Sequence, residues 1–242
     1  MKLPGRQDEL IQAIVKVNPN TIVVLNCGSP VEMPWIAQVP AAVLAYYPGQ
    51  EGGNAVASIL LGNVNPSGKL SVSYPKRYED NPTYVNYPGG RQVYYGERIF
   101  VGYRYYDMKG IEPLFPFGHG LSYTTFEYSN LQVPQAARIG ETVEAAVQVR
   151  NTGQRAGREV VQLYVRDAQS SLERPPKELK GFVKVSLAPG ESTVVRLTLD
   201  RRAFAFYDPD RKDWVVEPGA FEILAGASSR DIRAQTSITL TE

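Results

Sequence analysis

The chain has 242 residues, of which 43% are hydrophobic and 21% charged, and a formal net charge of +1. That is enough for one large domain or two smaller ones of ordinary globular composition. The near-zero charge leaves no basic excess to neutralise phosphates, which argues against nucleic acid or a lipid surface as partner, and no apolar run approaches the ~20 residues of a membrane-spanning helix.

In chain order, Gln7 to Val17 reads as an amphipathic helix. Leu10, Ile14 and Val17 fall on one face, and Ile11 and Val15 widen the stripe. Asp8 and Glu9 suit its first turn and Lys16 its last, and Asn18-Pro19-Asn20 stops it. Residues 21–25 are β-branched and apolar on both faces, as in a fully buried parallel strand, and 41–45 form a second such strand. Residues 30–36 leave room for a crossover. Residues 49–54 then open a helix over 55–61 that Gly62 ends. Cys27, the only cysteine, excludes an intrachain disulfide and reads as a buried structural thiol.

This order is α/β. Two parallel strands and two helices cannot cover both faces of a sheet within ~65 residues. The other strands are therefore expected from a second chain or from residues upstream of Met1. The opening five residues show no signal-peptide pattern, which carries little weight for a chain expected to begin inside a domain.

Residues 65–126 hold ten of the fifteen tyrosines and are broken by prolines. Only 98–106 reads as a strand. The rest is expected to be a long connector lying on a domain surface and tied down by aromatic burial. From Glu127 the pattern is all-β. Strands are predicted at 142–150, 159–166, 178–187, 192–199, 203–207, 220–225 and 233–240. Val143, Ala145, Val147 and Val149 alternate onto one face, as do Val161, Leu163 and Val165, and Val195, Leu197 and Leu199. About seven short strands at 8–12-residue spacing describe an immunoglobulin-like or fibronectin type III-like sandwich, and without the Cys…Trp…Cys signature the fibronectin-like form is favoured. The fold class is thus a partial α/β sandwich followed by an all-β sandwich. Its expected divisions are 1–75, a connector over 76–126, and 127–242.

Chemistry is sparse in these residues. His119 is the only histidine, so no metal cluster forms with Cys27, and its Gly-His-Gly setting lacks a nucleophile elbow. It reads as a turn residue hydrogen-bonded to backbone. Residues 49–54 carry neither phosphate-loop spacing and read mainly as close helix–strand packing, with a polar ligand at Glu51 and the helix N-terminus as the lesser reading. Glycoside hydrolysis needs two flanking carboxyl groups; Glu32, Glu51, Glu97 and Asp107 are present, but spacing alone does not bring any two together. The connector tyrosines could stack on sugar rings, although interdomain packing is the plainer reading.

Several stretches resemble glycoside hydrolase family 3, the β-glucosidase-like enzymes. They are Leu3-Pro4-Gly5-Arg6-Gln7-Asp8-Glu9-Leu10-Ile11, Gly28-Ser29-Pro30-Val31-Glu32-Met33-Pro34-Trp35, Tyr47-Pro48-Gly49-Gln50-Glu51-Gly52-Gly53-Asn54-Ala55, Asn65-Pro66-Ser67-Gly68-Lys69-Leu70, Val101-Gly102-Tyr103-Arg104-Tyr105-Tyr106 and Phe115-Pro116-Phe117-Gly118-His119-Gly120-Leu121-Ser122-Tyr123-Thr124. Lys180-Gly181-Phe182 and Leu187-Ala188-Pro189-Gly190-Glu191 look like that family's C-terminal fibronectin-like domain.

The resemblance implies a retaining glycosidase whose (β/α)8 barrel, aspartate nucleophile and glutamate acid/base all lie upstream of Leu3. No catalytic residue is assigned here, and no cofactor or metal is implied. Glu32, Trp35, Gln50 and Glu51 follow strand ends and are the expected substrate-rim residues. The implied partners are the barrel and the first half of the α/β sandwich, in cis or in trans, and an oligo- or aryl-β-glycoside as substrate. Two other readings stand beside an inactive C-terminal portion. One is a stand-alone non-catalytic carbohydrate-binding or scaffold module, and the other is one chain of a two-chain enzyme.

Overall fold

A computed structural model describes residues 1–242. Helix α1 (Gln7–Val17) has the bounds its sequence predicts, with Asp8 and Glu9 in the first turn and Lys16 in the last. Strands β1 (Ile22–Leu25) and β2 (Ala41–Leu44) pair in parallel, in register from Ile22 with Ala41 to Leu25 with Leu44. Helix α2 (Gly52–Leu60) starts earlier than expected and closes at Gly62, whose φ is +75°.

The full burial expected of β1 fails, and α1 leaves an apolar stripe uncovered. In β1, Val23 and Leu25 are buried while Ile22 and Val24 are exposed. In α1, Val15 is buried and Ile11 packs on the small core of Val23, Leu25, Val31, Met33, Trp35 and Tyr74. Leu10, Ile14 and Val17 instead face solvent, Val17 at 82% exposure. Both exposures have one cause, the incomplete sheet that the sequence implies: with two strands, its outer face and the outer stripe of α1 find nothing to pack on.

The connector is more ordered than a loop. Residues 70–74 run beside 114–119, with Leu70 N–H donating to His119 O (2.8 Å), Gly118 N–H to Leu70 O (2.7 Å) and Tyr74 N–H to Phe115 O (2.8 Å). The strand predicted at 98–106 is instead a loop followed by helix α3 (Tyr103–Lys109), which starts at Gly102 and ends at Gly110, both at positive φ. Tyrosine-rich composition suggests a strand, but a helix places Tyr103 and Tyr106, three apart, on one side. Tyr106 is buried, and the Tyr103 ring stacks on Phe117 and meets Tyr164 edge-on. Aromatic burial thus holds at Tyr74 and Tyr106. It fails at Tyr87, Tyr94 and Tyr95, which are exposed by 65%, 66% and 80%.

The all-β part comprises β3 (Phe126–Gln132), β4 (Ala136–Arg138), β5 (Val143–Asn151), β6 (Gly157–Asp167), β7 (Glu178–Leu187) and β8 (Ser192–Leu199). A helical turn α4 (Arg201–Phe204), β9 (Phe206–Asp208), β10 (Asp213–Val215), β11 (Gly219–Gly226) and β12 (Ile232–Thr241) complete it. The sheets run β3-β5-β8 and β4-β12-β11-β6-β7. The strand predicted over 203–207 is corrected to α4 followed by β9, because Asp200 caps a helical turn, its carboxylate accepting from Ala203 N–H at 3.1 Å. The core is the predicted alternation: Val143, Ala145, Val147 and Val149 are all 1% exposed or less.

Alternation breaks in β6, where Gln162 and Tyr164 are buried along with Val161, Leu163 and Val165. The connector covers the outer face of this strand. Gln162 Nε2 donates to Gly118 O (3.2 Å) and Ala227 O (2.7 Å), and its Oε1 accepts from the Tyr164 hydroxyl (2.7 Å). Ion pairs cross the same seam. Asp107, 5% exposed at its side chain, takes Lys177 at 2.5 Å and Arg230 at 2.8 Å. Lys69 pairs with buried Glu159 at 2.9 Å. Asn65 Oδ1 accepts from Ser122 Oγ and Tyr123 N–H, while its amide donates to Ala156 O. The Asn-Pro-Ser-Gly-Lys and Phe-Pro-Phe-Gly-His-Gly stretches therefore bind the two halves together.

Candidate functional site

Parallel, in-register pairing brings the carboxyl ends of β1 and β2 side by side. The segments that leave them, 26–35 and 45–54, carry the four rim residues predicted from sequence. This is the edge at which open α/β sheets place ligands.

Each residue is placed differently. Glu32 is half-buried, and its Oε1 accepts from the backbone N–H of Tyr78 at 2.7 Å. Trp35 is wholly buried, with its indole N–H donating to Asp8 Oδ1 at 2.8 Å, so it anchors α1 and does not itself line a surface. Gln50 is exposed and makes no side-chain hydrogen bond within the chain. Glu51 stands at the N-cap of α2 without capping it, its carboxylate instead accepting from Asn54 Nδ2 at 2.6 Å. No hydrogen bond or ion pair joins any two of Glu32, Glu51, Glu97 and Asp107. Asp107 is spent on Lys177 and Arg230, and Glu97 has one buried oxygen without a partner. No group of three or more His, Cys, Asp or Glu side chains has metal-binding geometry.

Sequence reasoning passed over the two tyrosines at the same edge. Tyr46 has a left-handed backbone, φ +53°, which is uncommon for a bulky residue. The exposed ring of Tyr47 lies over Gly28 so closely that a Cβ there would fall 2.2 Å from it. Gly28 is thus required for Tyr47 to close across the strand ends. The signal was the Tyr-Tyr-Pro-Gly turn, in which Pro48 and Gly49 (φ +69°) redirect the chain. Behind this edge, burial first, then Tyr46 and Cys27, push the Tyr74 phenol well above its ordinary range. Burial likewise raises the Cys27 thiol, which makes it inert rather than nucleophilic.

His119 lies away from this edge. Its backbone N–H donates to Pro116 O, its carbonyl accepts from Leu70, and its ring stacks on Phe115 at 5.3 Å. Burial, followed by the nearby Lys69 ammonium, holds its imidazole below the usual range, against a smaller opposing pull from Asp231. It is a neutral packing residue of the turn.

Residues 1–123 match the family model described as Glycosyl hydrolase family 3 C-terminal domain, and 159–229 match a Fibronectin type III-like domain. The chain is 54% identical over 240 residues to thermostable beta-glucosidase B of Acetivibrio thermocellus, covering 98% of this chain and 32% of that protein. It is 47% identical to beta-glucosidase BoGH3A of Bacteroides ovatus, covering 96% of this chain and 32% of the relative. Among solved structures, a beta-glucosidase from Kluyveromyces marxianus in complex with glucose superposes with a TM-score of 0.94 at 44% identity, over 100% of this chain and 29% of that one. The Bifidobacterium adolescentis GH3 beta-glucosidase gives 0.95 at 41%, over 99% and 36%. The chain spans about a third of the length of these relatives. With the family model covering its α/β half and close structural likeness running end to end, the chain belongs to glycosyl hydrolase family 3, matching the C-terminal portion of its β-glucosidases.

Proposed function

We propose that this chain is the C-terminal region of a retaining β-glucosidase-like hydrolase acting on terminal β-D-glycosyl residues, and that it has no turnover alone. In this reading residues 1–75 are the second half of an α/β sandwich domain, 76–126 the connector, and 127–242 a fibronectin-like sandwich. Two bare apolar surfaces carry the proposal. Ile22 and Val24 face solvent on the outer side of the two-stranded sheet, and Leu10, Ile14 and Val17 do so on the outer stripe of α1. Burying what is exposed of each would stabilise by at most roughly 1.5–3 kcal/mol, which is what adjoining parts of the same domain would supply. The lack of a joined carboxylate pair supports the same reading, since retention needs two carboxyl groups about 5–5.5 Å apart.

Glu32, Gln50 and Glu51 are proposed as rim residues of the completed site, with Trp35 holding α1 beneath them. A decisive test is turnover of aryl β-glycosides by the purified chain, alone and mixed with a barrel-containing N-terminal half. Activity only in the mixture supports the proposal and shows that the two parts work in trans. Activity of the chain alone overturns it. Sugar binding that persists while every mixture stays inactive would favour a non-catalytic module.

A further inference from the structure

Between Asp80 and Glu97 the chain carries one charged side chain, Arg91, against four tyrosines and two valines. Residues 81–99 contain neither helix nor strand. Tyr84, Val85, Tyr87, Val93, Tyr94 and Tyr95 are 39% to 84% exposed, and none belongs to either apolar core. Large apolar side chains gathered on one exposed segment mark an interaction surface. Tyrosine with arginine, and no lysine or carboxylate, is the composition found at the centre of protein–protein interfaces.

The segment is built rather than slack. Tyr84 N–H donates to Asn81 O at 3.1 Å, and the N–H groups of Asn86 and Tyr87 both donate to Thr83 O, at 3.0 and 2.9 Å. On the returning limb, Arg98 N–H donates to Tyr95 O at 3.0 Å. The limbs meet where Asn86 lies on Gly96: a Cβ on Gly96 would fall 2.6 Å from the Asn86 amide nitrogen. Phe100 then returns to the interior, 5% exposed. Backbone bonds thus hold the shape of this arm while its large side chains stay in solvent.

The root of the arm identifies the partner. Met1 O accepts from Glu32 N–H at 2.8 Å, Glu32 Oε1 accepts from Tyr78 N–H at 2.7 Å, and Asn81 Nδ2 donates to Met1 Sδ at 2.9 Å. The base of the arm, the candidate rim residue Glu32 and Met1 therefore lie together. The relatives are about three times as long, and this chain matches their C-terminal portion. In a complete enzyme of that length the preceding polypeptide arrives beside the arm. We propose that residues 82–99 are a docking arm whose tyrosines seat on the part of the complete enzyme that precedes Met1. The inference rests on the reading of this chain as a C-terminal region, and it adds a contact surface separate from α1 and β1.

The test uses chymotrypsin, which cuts after tyrosine, with cut sites mapped by mass spectrometry. The 242-residue chain is digested alone and with the N-terminal half. Cutting within residues 84–95 should be rapid in the chain alone and at least about tenfold slower in the mixture. In parallel, calorimetry compares the parent chain with a Tyr87→Ser, Tyr94→Ser, Tyr95→Ser variant. Its affinity for the N-terminal half should fall at least about thirtyfold, the loss expected of central aromatic anchors. These three side chains are 65%, 66% and 80% exposed, so the melting temperature of the variant alone should match the parent. Unslowed cutting and unchanged affinity in a mixture that turns over aryl β-glycosides would overturn the arm and leave the proposed function standing. A parent chain that neither associates nor gains turnover would overturn both. Protection that instead appears as the chain alone is concentrated, with a dimer in sedimentation, would assign the arm to a second copy and overturn the inference.

Discussion

Trp35 and Asp8 meet across 27 residues of sequence, the indole N–H donating to the carboxylate at 2.8 Å in a partly buried setting. This bond fastens α1 to the crossover between β1 and β2, where the helix otherwise has only Ile11 and Val15 to hold it. Trp35→Phe keeps most of the apolar volume but leaves the carboxylate unpaired. It should cost about 2 kcal/mol and lower amide-exchange protection across α1, with little change in the sandwich strands. Asp8→Asn retains an acceptor and should cost less than about 1 kcal/mol.

His119 gives the chain a simple pH signature, because it is the only histidine. Its folded pKa lies below the unfolded value, through burial first and Lys69 second. The unfolded chain therefore binds more protons, and the stability contributed by neutral His119 is full above about pH 6.5 and falls as pH drops below it. Urea midpoints measured from pH 7.5 to 5 should decline, and His119→Phe should flatten the decline.

A second acid transition should follow at lower pH. Burial opposes ionisation of Glu178, but Lys180, Arg174 and Arg104 outweigh it and hold its carboxyl below the ordinary range. Its contribution is present above about pH 4.3 and lost as pH falls beneath that. Glu178→Gln should therefore be clearly less stable than the parent at pH 7, with the difference shrinking as pH approaches 3, measured by thermal melts across the series.

The exposed stripe of α1 should bind a hydrophobic dye and promote aggregation. Leu10→Lys with Val17→Lys should reduce both while changing the melting temperature little, since these side chains are 59% and 82% exposed. The same double variant should fail to complement a barrel-containing half. Unimpaired complementation would show that this stripe is not the docking face.

Much of the fold was legible because its signals are local. The bounds of α1 follow from apolar spacing and an Asn-Pro stop, and β5 and β8 follow from strict alternation across their paired faces. Helix α3 was hidden because Tyr and Val favour strands in isolation, while its helical form depends on Phe117 and Tyr164, the latter some sixty residues away. The missed α4 did have a signal, Asp200 in capping position. At the β1–β2 edge, the identities of Glu32, Gln50 and Glu51 could be read, but not what they touch. Glu32 answers to Tyr78 and Trp35 to Asp8, contacts set by packing of distant segments.

Strand β6 bears on how freely this sandwich can be transplanted. A Cβ on Gly118 would fall 2.1 Å from the Gln162 carboxamide oxygen, and the Gly118 φ of +81° already excludes most side chains. Gly118→Ala should thus destabilise the chain by at least about 2 kcal/mol, read from urea denaturation. A graft cut at Phe126 would uncover Gln162 and Tyr164 and cost Gln162 its bond to Gly118 O, leaving only those to Ala227 and Tyr164, whereas one that kept residues 103–118 would bring its own lid. The module that travels intact begins at the connector helix, not at the first strand.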